Sequence, residues 1–158
     1  MKTPLLTDDV LHALDKSVLC WLATVDGQGN PNVSPKEVFA AIGRERIVIA
    51  HIASPRSLRN IAGHPRACVS FIDIFAQKGY KVSGAAEIVK RTDARFTEYE
   101  APLLAITRGL FPILAIFAIE VEAVEAILAP SYRMIPGTTE ATQIAAAMDT
   151  YGVTPRTP

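Results

Sequence analysis

The sequence predicts an α+β domain in which about six antiparallel strands curl into a barrel and three or four short helices sit at its periphery. Three observations carry this expectation. Three strand-like runs follow one another before residue 53, as in a meander. The helices are short and set off by capping residues. A lone glycine, Gly84, falls inside a later strand, as at a bulge or a barrel corner.

Taken in order, Thr7 with Asp8 and Asp9 reads as an N-cap followed by acids in a positive first turn. Val10, Ala13 and Leu14 make the apolar stripe of a helix ending near Lys16. Val18 to Val25 is a strand, and Asp26-Gly27-Gln28-Gly29-Asn30 turns it into a hairpin. The second strand is the more polar Asn32 to Phe39, and the third, Arg46 to Ile52, is apolar and β-branched. Ser54-Pro55 supplies an N-cap and a first-turn proline for a helix carrying Leu58 and Ile61, stopped by Gly63-His64-Pro65. Strands Ala67 to Ile74 and Tyr80 to Lys90 follow. Thr92 then caps a helix from Asp93 to about Thr107, which Pro102 is expected to kink or divide. Ile113 to Leu128 alternates around Ile119-Glu120-Val121-Glu122, the pattern of a long strand with one wet side. Thr138 or Thr139 caps a last helix with Ile144, Ala147, Met148 and Tyr151 on its packing stripe and Gly152 at its end.

Composition narrows the function classes. The chain has 158 residues, 49% hydrophobic and 20% charged, with sixteen basic side chains against sixteen acidic ones. That length suits one domain spanning 1–158, and no repeat, linker or low-complexity tract divides it. Zero formal charge argues against nucleic acid or an anionic membrane surface as partner. Cys20 and Cys68 lie in apolar runs and are expected buried and free. The N-terminal MKTPLLTDDV meets two aspartates too early for a signal peptide, so a cytoplasmic setting is expected. The uncharged run Leu110 to Ile119 is about half of what a bilayer requires.

The chemistry concentrates between Asn32 and Asn60. Side chains two apart on a strand share a face, so Asn32, Ser34 and Lys36 project together. Arg56 and Arg59 stand at the start of a helix, where cations oppose the macrodipole by about 0.3–1 kcal/mol each. An anion at that helix start, a phosphate above all, would reverse the penalty; the alternative is that both arginines point into solvent. Neither a P-loop nor a dinucleotide fingerprint is present. His12, His51 and His64 lack metal-ligand spacing, no nucleophile elbow occurs, and Glu120 with Glu122 reads as a solvated strand face. Lys78 and Lys81 flank Tyr80, placed either to reach a ligand across the barrel or to face solvent.

Three segments carry a resemblance: LATVDGQGNPNVSPK (22–36), IAHIASPRSLRNIAGHPRACVSFID (49–73) and GYKVSGAAEIV (79–89). In that order they resemble the pyridoxamine 5'-phosphate oxidase-like family of flavin-binding split barrels, and the tail 136–153 resembles that of its uncharacterised members. The resemblance implies a six-stranded split barrel, a homodimer, and one FMN per protomer in a groove between the subunits. By matching position it implies that Asn32, Val33, Ser34, Pro35 and Lys36 line the ribityl and phosphate path. Lys36 and Arg56 contact the phosphate, and Ser57 adds a donor. Ala50 and His51 match a strand-end pair that touches the flavin, and Lys78 or Gly79 a position near its ring. The pattern is departed from at two places. The C-terminal arginine and histidine pair that grips the vitamin's phosphate is missing from Tyr151-Gly152-Val153-Thr154-Pro155-Arg156, which argues against vitamin-oxidase activity. Ser57 replaces a second lysine beside the phosphate arginine.

The implied function is an FMN-dependent oxidoreductase acting on a small substrate, with no general acid or base identified. A flavin carrier or redox sensor without turnover and a deazaflavin-dependent reductase are the alternatives, followed by a flavin-free dimer acting as an interaction module. Haem occurs in another branch of the superfamily, but no residue here points to it.

Overall fold

The computed structural model describes residues 5–156; residues 1–4, which open the MKTPLLTDDV segment, lie outside them. Seven strands, β1 (Cys20–Val25), β2 (Pro31–Lys36), β3 (Phe39–Ile42), β4 (Arg46–His51), β5 (Arg66–Asp73), β6 (Lys78–Val89) and β7 (Ala115–Leu128), form one antiparallel sheet in the order β2-β1-β5-β6-β7-β4-β3. Five helices accompany it: α1 (Asp8–Lys16), α2 (Pro55–Gly63), α3 (Phe96–Thr107), α4 (Ser131–Met134) and α5 (Glu140–Tyr151). The expected α+β split barrel is present.

The seventh strand arises because the expected Asn32–Phe39 strand is broken. β2 pairs with β1 at one edge of the sheet and β3 with β4 at the other, although only Glu37 and Val38 separate them in sequence. Three Cα steps reach at most about 11 Å, so the two edges must lie close together. The sheet therefore curls, and Glu37 and Val38 bridge its two unpaired edges. Polar β2 and apolar β3 belong to different edges, which explains their contrast in composition.

Leu22, Ile49, Val69, Phe71, Val82 and Phe117 fill the barrel interior, sealed by Val10 and Leu14 of α1 and Ile61 of α2. A second cluster lies on the opposite face of β4 and β7, where Val48, Ala50, Ile116 and Ala118 pack under Tyr99 and Leu103 of α3. Being covered on both sides, residues 47–50 of β4 and the first half of β7 are continuously apolar. Beyond Ile119 β7 alternates, with Glu120 and Glu122 exposed as expected. The β6–β7 register shifts between Ser83 and Gly84. A Cβ on Gly84 would lie 1.7 Å from the Glu120 carbonyl oxygen, so only glycine lets the two backbones pass.

Helix boundaries depart from expectation at α3. Its N-cap is Arg95 rather than Thr92, because Asp93 holds residues 91–95 in a turn: one carboxylate oxygen accepts from the Arg95 amide at 2.9 Å and from its Nε at 3.0 Å. Pro102 does not divide the helix. α5 is capped by Thr139, whose hydroxyl accepts from the Thr142 amide at 3.2 Å while the Thr142 hydroxyl accepts from the Thr139 amide at 2.9 Å. α4, unforeseen in the sequence, is one turn following Pro130. No described helix is long and apolar enough to cross a membrane.

Candidate functional site

β2 and α2 meet along three polar contacts. The strand alternates, turning Asn32, Ser34 and Lys36 toward α2 and leaving Pro31, Val33 and Pro35 exposed. At one end the Lys36 ammonium donates to the Ser54 hydroxyl at 2.5 Å. In the middle the Ser34 and Ser57 hydroxyls are 3.2 Å apart. At the other end the Asn32 and Asn60 amides both donate to the Thr24 hydroxyl on β1, at 3.5 and 3.0 Å. Ser54, Ser57 and Asn60 lie three apart and so fall on one side of a helix, just as residues two apart fall on one side of a strand. That pairing of periods is a sequence signal for the contribution of Ser54 and Asn60, which reading β2 alone misses.

Lys36 is the unusual member. It is only 7% exposed, and among the described residues it forms no ion pair. Burial pushes its ammonium below the ordinary lysine range, opposed by the neighbouring Cys20 thiol. Cys20 is itself free and buried, and burial pushes its thiol up to about 12 against the pull of Lys36. The thiol thus stays neutral at physiological pH and supplies no counter-charge. His51, at the end of β4, is held below its ordinary value by burial and then by the Lys36 charge. Its ring lies 5.2 Å from that of Phe117, and its Nδ1 is buried without a hydrogen-bond partner.

A cavity of about 250 Å³ opens here, bordered by Pro35, Lys36, Ala50, Ile52, Ser54 and Phe111 among others. The first turn of α2 begins at its edge. Ser54 is the N-cap by position, yet its hydroxyl makes no cap hydrogen bond; it faces Lys36 instead. The sequence expectation of a serine side-chain cap is therefore corrected, and the first-turn amides of α2 lack that acceptor. Arg56 is exposed on this turn, without an ion pair among the described residues, and its charge is felt by Asp26 at the β1–β2 hairpin. Ser57 is 1% exposed and engaged with Ser34.

The sequence-selected residues thus fall into three groups. Lys36, Pro35 and Ala50 border the cavity, Asn32, Ser34 and Ser57 lie along the β2–α2 seam that leads to it, Arg56 is on the adjoining helix turn, and His51, next to Ala50 in β4, turns its ring to Phe117 rather than into the cavity. Val33 faces outward. Lys78 and Gly79 border a separate cavity of about 350 Å³, with Lys16 of α1 and Arg133 of α4. There the Lys78 ammonium is 2.8 Å from Glu140 and 4.6 Å from the centre of the Tyr132 ring.

A family model described as Pyridoxamine 5'-phosphate oxidase matches residues 6–128. The chain belongs to the pyridoxamine 5'-phosphate oxidase family. Its match ends with β7, so α4 and α5 lie beyond it. No curated protein matches the chain. Among solved structures it is similar to an FMN-binding protein from Syntrophomonas wolfei subsp. wolfei, at 15% identity and a TM-score of 0.64 over 75% of this chain and 86% of that one. It is likewise similar to HutZ, the heme storage protein from Vibrio cholerae, at 23% identity and a TM-score of 0.62 over 78% and 94%. An F420 reductase is 25% identical, with a TM-score of 0.57 over 75% of this chain and 98% of that one.

Proposed function

We propose that the protein is an FMN-binding flavoprotein whose phosphate site is built by Lys36, Arg56 and the first turn of α2, and that it works as an FMN-dependent oxidoreductase on a small substrate. The observation that carries the reading is Lys36. A buried ammonium with no anion costs several kcal/mol, and neither the neutral thiol of Cys20 nor the hydroxyl of Ser54 repays it. A phosphate beside Lys36 does, and it also accepts from the α2 amides and balances Arg56. Each charge-assisted hydrogen bond formed in this way contributes about 1.5–3 kcal/mol.

When bound, the flavin supplies the two-electron chemistry. This chain's residues bind and orient it: Lys36 and Arg56 hold the acidic end, and the Ser34–Ser57 and Thr24–Asn60 contacts fix α2 against β2 and β1. Ala50 forms part of the surrounding wall, with His51 behind it and within reach of the Lys36 charge. A cavity of about 250 Å³ is below the roughly 300–1,000 Å³ that encloses an organic ligand, which supports a homodimer in which a second copy completes the site. Lys78 and Gly79 border another cavity and stand outside this phosphate site. The two free thiols support a cytoplasmic setting.

The test is flavin content. Wild-type protein is expected to purify with a visible flavin absorption band, and mass spectrometry of the released ligand is expected to give FMN. Lys36→Ala and Arg56→Ala are expected to lower FMN affinity by at least tenfold, in keeping with one lost charged hydrogen bond each; in the apo form Arg56→Ala is expected to unfold near wild type and Lys36→Ala, relieved of an unpaired buried charge, no earlier than wild type. Unchanged flavin content in both variants rejects this phosphate site. Release of a deazaflavin instead turns the reading toward the F420 reductase it resembles, and bound flavin that no nicotinamide reduces turns it toward a carrier.

A further inference from the structure

We infer that Phe111 is the ring-facing wall of this site, an aromatic surface set to stack on the planar part of a ligand whose anionic end reaches Lys36. The inference rests on the flavin reading and deepens it. Phe111 borders the same cavity as Lys36 and Ser54, so one compartment joins a buried cation to an aromatic face. The benzyl side chain is nevertheless 54% exposed, and the adjacent Leu110 is 76% exposed. Exposed apolar side chains on a floppy loop would mean little, but this segment is held at both ends.

At its start the buried Thr107 organises the turn: its hydroxyl accepts from the Gly109 amide at 3.3 Å and its carbonyl accepts from the Leu110 amide at 3.0 Å. Arg108 and Gly109 both take left-handed backbone conformations, at φ of 51° and 73°. For arginine that conformation is disfavoured, and it sharpens the reversal that carries the chain from α3 toward the cavity. At its end Ile113 is buried at 1% exposure, and its carbonyl accepts from Arg91 at 2.8 Å. The next amide, Leu114, donates to the His51 carbonyl at 2.9 Å, tying the loop to the strand end that forms the opposite wall. Pro112 disfavours helical backbone at Phe111. A backbone anchored on both sides of Phe111 limits the freedom lost when its ring stacks, which is the property a binding wall requires.

The experiment separates ring from phosphate. FMN, riboflavin and inorganic phosphate are titrated into flavin-stripped wild type, Phe111→Ala, Phe111→Trp and Lys36→Ala. Phe111→Ala is expected to weaken riboflavin and FMN by the same factor, about tenfold for a lost aromatic stack, and to leave phosphate binding unchanged. Lys36→Ala is expected to weaken FMN and phosphate but not riboflavin. Phe111→Trp is expected to restore affinity and to quench the fluorescence of bound flavin below the wild-type level, because an indole in contact with the ring donates an electron to its excited state. Wild-type affinities in Phe111→Ala, or no added quenching in Phe111→Trp, overturn the stacking role while leaving the flavin reading intact. A shift of Phe111→Ala to a smaller species on size exclusion, together with no added quenching in Phe111→Trp, identifies the residue as a subunit contact alone and also overturns it. Failure of wild type to bind either flavin removes the flavin reading, and this inference with it.

Discussion

A lysine ammonium set among Cys20, His51 and Ser54 alters what each neighbour can do. The thiol is kept protonated by burial, and the imidazole is kept neutral by burial and by the adjacent positive charge. The pH consequence for His51 follows from linkage. With the folded value below 6.5 and the unfolded value near it, the unfolded chain takes up the proton first as the solution is acidified. The stability associated with neutral His51 is present above about pH 6.5 and is lost as pH falls toward the depressed folded value. Urea unfolding of the ligand-free protein at pH 7 and 5.5 is expected to give a larger loss for wild type than for His51→Phe, which packs against Phe117 without titrating. Equal losses would mean that His51 is not held neutral in the fold.

At the level of the element, the β6–β7 pair depends on one missing methyl. Gly84→Ala places a Cβ against the Glu120 carbonyl, a backbone atom that cannot swing aside. The substitution is expected to destabilise the protein by about 3 kcal/mol, read from the urea midpoint; a change under about 0.5 kcal/mol would show that the strands can separate there freely. Gly84 was legible in the sequence because glycine weakens a strand interior, and a strand keeps one where it bulges or where another backbone comes close. The inward face of β2 was legible as well, since the two-residue period puts Asn32, Ser34 and Lys36 together whatever the partner. The break at Glu37–Val38 was not, because each half keeps a strand-like pattern and only tertiary pairing assigns them to opposite edges. Nor was the start of α3, where the Asp93–Arg95 contact, extended to Glu87 at 2.7 Å, overrides Thr92 as a cap. The role of Thr24 was hidden because it lies between two partners, Asn32 and Asn60, remote from each other in sequence. That of Phe111 was hidden because an aromatic in an apolar run reads as core until its exposure is known.

For the whole molecule, the outer face of β1 and β2 bears on assembly. Trp21 lies opposite Pro35 and Ala23 opposite Val33, and Trp21, Val33 and Pro35 are all exposed. Contiguous apolar surface of this kind on a sheet edge suits burial against a second copy in the proposed dimer. Val33→Asp is expected to leave the folded protomer within about 0.5 kcal/mol of wild type and to turn the proposed dimer into a monomer by sedimentation. Flavin affinity is expected to fall in parallel if the second copy completes the site. A Val33→Asp protein that remains dimeric would place the interface elsewhere.

The contacts between β2 and α2 run on two unequal rulers. Two residues of strand advance about 6.6 Å, while three residues of helix advance about 4.5 Å, so for axes laid side by side the two series slip by about 2 Å at each step. Two short hydroxyls can meet only where the series coincide, and Ser34 with Ser57 marks that point. Away from it the gap widens in both directions, and it is spanned by the long aliphatic stem of Lys36 on one side and by Thr24 as an intermediary on the other. The cation's location at the head of α2 is in this sense a product of mismatched repeats, and shortening residue 36 to serine would leave Ser54 out of reach.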